Sequence, residues 1–159
     1  MRVISIDREK CTGCGICQVA CSLTKTGAVQ PSLGRIKVIS DKRSRLQMVS
    51  VCQHCAEPAC QTACLMEGIS KDLASGQIIR DLEMCFGCGA CQVACPISAP
   101  ILDVDQGVIV TCDLCDGNPV CVKVCPHGAI AYGELTEAIT NRRIRQGARF
   151  FGVRQEGVE

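Results

Sequence analysis

CTGCGICQVAC, residues 11–21, and CFGCGACQVAC, residues 85–95, are one phrase written twice, with differences at two of eleven positions. In each, four cysteines follow the spacing C-x2-C-x2-C-x3-C, which suits a cubic iron–sulfur core. A cubane presents four irons at the corners of a tetrahedron, each needing one thiolate. Three cysteines two residues apart on a curling loop can cap three of them. Gly13, Gly15, Gly87 and Gly89 let that loop take positive φ and bring backbone N–H groups up to sulfur. The fourth cysteine, three residues on, ordinarily points away toward a neighbouring cluster.

Outward from these phrases lie two looser versions, VCQHCAEPACQTAC at 51–64 and TCDLCDGNPVCVKVC at 111–125. They keep the opening C-x2-C and the closing x3-C but lengthen the middle gap to four and five residues, with Pro58 and Pro119 before the third cysteine. The sixteen cysteines thus form four groups with none left over. These are Cys11, Cys14, Cys17 and Cys21; Cys52, Cys55, Cys60 and Cys64; Cys85, Cys88, Cys91 and Cys95; and Cys112, Cys115, Cys121 and Cys125. A stretched motif follows each compact one, the mark of two ferredoxin-like units from one ancestral pair. Pro96 and Pro126 follow fourth cysteines and start the next turn.

Two rival chemistries fit less well. Zinc ribbons set two C-x2-C knuckles about 15–20 residues apart, whereas each group here packs four cysteines into one short arc. A disulfide framework would not demand repeated arcs and needs an oxidising compartment. Residues 1–7, MRVISID, run toward Cys11 with no apolar leader or twin arginine, which implies a reducing, cytoplasmic setting. No stretch approaches the roughly 18 apolar residues of a spanning helix. Four [4Fe–4S] clusters on sixteen cysteines, in a soluble chain, is the reading that results.

Composition agrees. Cysteine supplies 16 of 159 residues, about a tenth, beside one Tyr, three Phe and no Trp. That share marks a metal protein or a disulfide scaffold, not an ordinary apolar core. The formal charge is +1, but each cluster with four thiolates is worth roughly −2, so four sites give a holoprotein near −7. An acidic holoprotein with no basic stripe and almost no stacking surface excludes nucleic acid as a partner. No general acid or base constellation stands out, so the chain is expected to carry electrons without catalysing a reaction of its own.

Between the motifs the pattern is α+β. Strand candidates are Val3–Ile6, Arg35–Ser40, Leu46–Val51, Ile69–Asp72, Gln77–Arg80, Ile101–Val104 and Val108–Thr111. Turns at 74–76 and 105–107 join the later ones into hairpins, and helical turns are expected at or after 18–20 and 92–94. The expected organisation is a four-cluster polyferredoxin domain over residues 1–133, followed by a helical tail at 134–159. In that tail Thr136 stands near the start, Ala138, Ile139 and Ile144 within, and Gly147 late. Arg142, Arg143, Arg145, Arg149 and Arg154 beside Phe150 and Phe151 make the tail a basic docking arm for a partner, or a solvated helix packed back on the body. His54 and His127 lie in or beside motifs whose ligand positions are already filled, and are read as hydrogen-bonding residues. Lys10 and Lys123 could tune cluster potential by charge.

The motif order resembles the four-cluster ferredoxin-type subunits that accompany molybdenum or tungsten oxidoreductases, as in dimethyl sulfoxide reductase and formate dehydrogenase, and some hydrogenases and carbon monoxide dehydrogenases. The matching stretches are VCQHCAEPAC, CFGCGAC and CDLC with CVKVCPHGAI. The resemblance covers residues 1 to about 133 and departs at Leu65, where the family commonly has Pro. It implies two interleaved bacterial-ferredoxin-like subdomains, motif one with motif four and motif two with motif three. One cluster would take Cys11, Cys14, Cys17 and Cys125, and its neighbour Cys112, Cys115, Cys121 and Cys21. The second pair would take Cys52, Cys55, Cys60 with Cys95, and Cys85, Cys88, Cys91 with Cys64. The implied partners are a catalytic molybdenum or tungsten subunit and a flavin subunit or soluble ferredoxin. The short chain looks most like the electron-transfer subunit of a tungsten aldehyde oxidoreductase. A formate dehydrogenase, hydrogenase or carbon monoxide dehydrogenase subunit, a free polyferredoxin, and self-association into filaments are the alternatives.

Overall fold

The protein is seen in a computed structural model that describes residues 2–41, 46–136, 139–141 and 144. Its strands are β1 (Arg2–Ile6), β2 (Ile36–Asp41), β3 (Leu46–Val51), β4 (Ile69–Lys71), β5 (Ile78–Arg80), β6 (Ile101–Asp103), β7 (Val108–Val110) and β8 (Ile130–Glu134). They form four separate two-stranded antiparallel sheets, β1–β8, β2–β3, β4–β5 and β6–β7. Three are local hairpins whose positions the strand candidates and the turns between them foretell. The β1–β8 sheet instead joins the two ends of the four-motif region, pairing Arg2 with Glu134 and Ile6 with Ile130.

That sheet corrects two expectations. Residues 130–134 are not among the strand candidates, and Glu134 closes β8 instead of opening the tail. Gly133 interrupts the apolar pattern there and the pairing partner lies at the far end of the chain, so no local signal marks the strand. Strand β1 alternates apolar and polar as if one face met water, yet Val3, Ile4, Ser5 and Ile6 are all buried. A helical turn begins after Thr136, whose backbone carbonyl accepts from Thr140 N–H at 2.8 Å and whose Oγ1 accepts from Ile139 N–H at 3.4 Å. The five tail arginines and Phe150 and Phe151 lie outside the described residues.

Four helical segments each carry the later cysteines of a motif: α1 (Ile16–Thr26), α2 (Ala59–Thr62), α3 (Ala90–Val93) and α4 (Val120–Lys123). Segments α1 and α3 both start from a left-handed glycine, Gly15 and Gly89, at φ 77°. They differ in length. Pro96 and Pro126 cannot continue a helix and follow the one-turn α3 and α4, but α2 stops at the same place with Leu65 there, so proline is not required for the stop. After Cys21 come Ser22, Leu23 and Thr24, so α1 runs on until left-handed Gly27 ends it. Segment α1 packs on α4, and α2 on α3.

The apolar core is divided and small. Its largest part joins Ile4, Ile6, Ile36, Val49, Val51, Leu114 and Ile130 with the buried cysteines 17, 21, 112 and 121. A second gathers Ile69, Ile78 and Ile109 around Cys91, and a third joins Ile101, Val108 and Val110. Ile36, 1% exposed, faces Val51 across the β2–β3 ladder. Ile36→Ala is therefore expected to cost about 2–5 kcal/mol. The measurement is the urea midpoint at which the brown chromophore bleaches, which falls if that value holds.

Candidate iron–sulfur sites

Each compact motif bends through two left-handed glycines, Gly13 and Gly15 in one and Gly87 and Gly89 in the other. At Gly87 the requirement is absolute, since a Cβ there would collide with the Gly107 carbonyl oxygen. The stretched motifs make their first bend, after the opening cysteine, without glycine. His54 and Leu114, each second after a motif's opening cysteine, hold φ 46° and 58° and are buried to 1% exposure.

This bending gathers cysteines from distant motifs. Cys11, Cys14 and Cys17 line one hollow together with Cys125, and Cys85, Cys88 and Cys91 line another with Cys64. Burial pushes the Cys17 thiol up to about 11, aided by the neighbouring charges of Cys11, Cys14 and Cys125. Burial likewise lifts Cys52 to about 11, with Cys55, Cys60 and Cys95 as charged neighbours. Cys121 rises to about 12, again first from burial and then from Cys21, Cys115 and Cys17. Cys112, the most deeply buried, is pushed far above the ordinary thiol range by burial, with Cys121 and Cys52 adding to the rise. Such thiols have no use for their charge until a metal takes it. Iron ligation deprotonates them outright and releases the protons.

Several donors aim at sulfur, as a ligated thiolate requires. Backbone N–H groups of Ile109, Ala129, Ala99 and Leu114 reach Sγ of Cys85, Cys125, Cys95 and Cys112 at 3.2, 3.3, 3.4 and 3.4 Å. The turn after the fourth cysteine is shared: Glu67, Ser98 and Gly128 all take positive φ and donate back to the carbonyl of Cys64, Cys95 and Cys125. Leu65 enters that turn as Pro96 and Pro126 do, so the departure from the family pattern leaves the turn intact. Among the described residues no three His, Cys, Asp or Glu side chains crowd close enough for a single ion. The thiols instead stand around hollows, the arrangement that suits a core with one thiolate per iron.

Charged groups near the sulfurs are what sequence reading missed. Arg80 Nη1 donates to Cys91 Sγ at 3.4 Å and its Nε donates to Thr111 Oγ1 at 3.1 Å, while its charge opposes the rise of Cys60. Asp113, inside the C-D-L-C motif, accepts from Lys25 Nζ at 2.7 Å and Arg35 Nη1 at 2.6 Å beside Cys115. The Asp113 links span long stretches of chain and Arg80 reaches Cys91 from a separate element, so cysteine spacing carries no trace of either. Lys10 and Lys123 are exposed, and Lys10 approaches Asp7 only at 3.9 Å. Buried His54 accepts from Ile78 N–H through Nδ1 at 2.9 Å, and His127 is exposed next to Cys125. A cation on sulfur favours the reduced cluster. Arg80→Gln is expected to lower one cluster potential by about 59 mV, a tenfold change in a one-electron equilibrium. Spectroscopically monitored redox titration measures it, and Arg80→Lys is expected to keep most of the wild-type value.

Paired four-cysteine hollows with N–H donors on sulfur define a ferredoxin-type iron–sulfur protein. The chain belongs to the 4Fe-4S dicluster domain family, whose model matches residues 45–135, and a 4Fe-4S binding domain model matches residues 2–23. It is 38% identical over 122 residues to the polyferredoxin-like subunit of an aliphatic sulfonate oxidoreductase from Pyrococcus furiosus, covering 77% of this chain and 70% of that one. It is 40% identical to the beta subunit of NADH-dependent phenylglyoxylate dehydrogenase from Aromatoleum evansii over 81% of this chain, but spans only 29% of that relative's length. One polypeptide of the anaerobic dimethyl sulfoxide reductase from Haemophilus influenzae is 32% identical, with 84% of this sequence and 74% of that one covered. A solved chain in the active site complex BamBC of benzoyl coenzyme A reductase matches 94% of this chain and 89% of its own, with a TM-score of 0.52 and 26% identity. The chain is thus an iron–sulfur protein of the [4Fe–4S] electron-transfer class, related to subunits of oxidoreductase complexes. No helix among the described residues is long and apolar enough to cross a membrane.

Proposed function

We propose that this chain is a four-cluster electron relay serving an oxidoreductase complex, with each pair of motifs cross-ligating its two clusters. The observation that carries the reading is the meeting of Cys125 with Cys11, Cys14 and Cys17, mirrored by Cys64 with Cys85, Cys88 and Cys91. Bound [4Fe–4S] cores would supply one-electron redox chemistry with little change of shape. The chain's own part is to hold the four sites in a row and adjust each by burial, N–H donors and charge.

The row follows from which thiols are neighbours. Cys121 feels Cys17, joining the site of Cys112, Cys115, Cys121 and Cys21 to that of Cys11, Cys14, Cys17 and Cys125. Cys112 feels Cys52, which joins the two halves of the molecule, and Cys60 feels Cys91. The Cys11 site therefore stands at one end and the Cys85 site at the other, with the two remaining sites between.

The best-supported partner is a catalytic molybdenum or tungsten subunit, and among these a tungsten aldehyde oxidoreductase, with a flavin subunit or soluble ferredoxin at the opposite end. The relatives' membership in phenylglyoxylate dehydrogenase, sulfonate oxidoreductase and dimethyl sulfoxide reductase supports the class. A formate dehydrogenase, hydrogenase or carbon monoxide dehydrogenase subunit, a free polyferredoxin, and end-to-end self-association are its competitors. The reading places the chain in the cytoplasm and gives it no reaction of its own. Metal and sulfide analysis of anaerobically prepared protein tests it. About sixteen irons per chain are expected, and zinc in their place would overturn it. Native mass spectrometry of the gently purified complex then identifies the partner.

A further inference from the structure

The two ends of the row are built on one scaffold and finished with different side chains. Residues 7–17, DREKCTGCGIC, align with 81–91, DLEMCFGCGAC, and 125–130, CPHGAI, with 64–69, CLMEGI. Three backbone features repeat in both, although Cys11 N–H donates to the Asp7 carbonyl and its counterpart Cys85 to the Leu82 carbonyl. Asp7 and Asp81 N–H groups donate to the carbonyls of Ala129 and Gly68 at 2.7 and 2.9 Å. Glu9 and Glu83 N–H groups donate to the Asp7 and Asp81 carboxylates at 3.1 and 3.0 Å. Gly128 and Glu67 take φ 57° and 53°. Differences between the two mouths therefore come from side chains, not from shape.

Those differences run one way. Arg8, Lys10 and Thr12 at the first mouth become Leu82, Met84 and Phe86 at the second, and Pro126 and His127 become Leu65 and Met66. Ile16, Val38 and Val49 are apolar residues of the first mouth that run the other way, Ile16 having Ala90 as its counterpart. Phe86 is 61% exposed, Leu65 83%, and Met66 and Met84 just over 40%, all around the hollow of Cys64, Cys85, Cys88 and Cys91. Exposed Glu67, Asp81 and Glu83 border this patch; Lys10, which approaches Asp7 at 3.9 Å, has Met84 as its counterpart here, and the one cation lining this hollow, Arg80, is turned to the Cys91 sulfur. An exposed apolar patch with a polar rim marks a lasting protein interface, and Phe and Met are favoured at interface centres. Water around a bare aromatic is costly, whereas a charged, balanced mouth is stable in solvent between encounters.

Resting on the relay reading above, we infer that the Cys85 mouth is the permanent docking face for a redox subunit that presents an apolar centre with a Lys/Arg rim. The Cys11 mouth, which lacks that exposed Leu, Met and Phe cluster, is left for the transient exchange partner. Glu67, Asp81 and Glu83 select the basic rim, so binding weakens as salt screens them.

The test swaps one mouth's residues into the other. Met84→Lys with Phe86→Thr installs side chains that the same backbone already carries at positions 10 and 12, so cluster loading is expected to persist. In the complex isolated anaerobically through a tag on this chain, the retained subunit is recognised by its own metal or flavin content. The double variant is expected to weaken its retention at least tenfold, with wild-type iron content, while Lys10→Met with Thr12→Phe leaves retention unchanged. If the first variant loses iron, Leu65→Pro with Met66→His reads the same face. Undiminished retention in an iron-replete variant overturns the inference and leaves the relay reading standing. So does loss of self-association alone, which would make the occupant a second copy of this chain. Absence of iron from the wild type would instead sink the relay reading.

Discussion

Cys125→Ala is expected to empty the site of Cys11, Cys14 and Cys17, at the opposite end of the sequence, and to leave the site of its own motif filled. Cys125 lines the hollow of those three cysteines, and its charge acts on Cys17. Its motif companions Cys115 and Cys121 have Cys21 as their neighbour instead. Iron is expected to fall from about sixteen to about twelve per chain if the whole cubane is lost, or by about one if a three-iron core survives. The decisive readout is alkylation under native anaerobic conditions with peptide mapping. Cross-ligation exposes Cys11, Cys14 and Cys17 to the reagent. If each motif served its own cluster, Cys112, Cys115 and Cys121 would be labelled instead, and the pairing of motif one with motif four would be wrong.

Stripping all the iron is expected to have a larger effect, unfolding the chain outright. The core is three small groups of aliphatic residues, and in the largest of them Cys17, Cys21, Cys112 and Cys121 are 5–8% exposed members. Without metal each hollow is a void faced by thiols, and voids in a core are costly. The sheets cannot compensate, because each has two strands and such pairs are marginal alone. Cluster binding and folding are thus one equilibrium. Anaerobic chelation is expected to abolish the far-ultraviolet dichroism and the protease resistance together, both returning on reconstitution with iron and sulfide. A metal-free chain that still melts cooperatively would show that the aliphatic groups suffice.

How far the molecule is legible in its sequence depends on whether a feature is local. Hairpins β2–β3, β4–β5 and β6–β7 each join segments adjacent in the chain, and alternation in the first and the turns at 74–76 and 105–107 in the others mark them to within a residue or two. The glycine-led cysteine loops are equally plain, because four thiolates on a cube impose a spacing that few other chemistries share. Arg80 on Cys91, Asp113 between Lys25 and Arg35, and the β1–β8 closure have no such mark. Asp113 and its two cations, and the strands β1 and β8, lie far apart in the chain, and an arginine at a strand end looks the same whether it meets water or sulfur.

Sequence by itself determined the chemistry of this protein: the number of thiolates, their grouping and the left-handed glycines that make the loops possible, since cluster ligation constrains residue type and spacing along a single short segment. Tertiary structure decided that Cys125 lines the hollow of Cys11, Cys14 and Cys17 and Cys64 that of Cys85, Cys88 and Cys91, and how the exposed side chains around those two hollows differ. These depend on distances through space, set when α1 meets α4 and α2 meets α3. Packing free energy chooses such meetings, and no run of neighbouring residues encodes them.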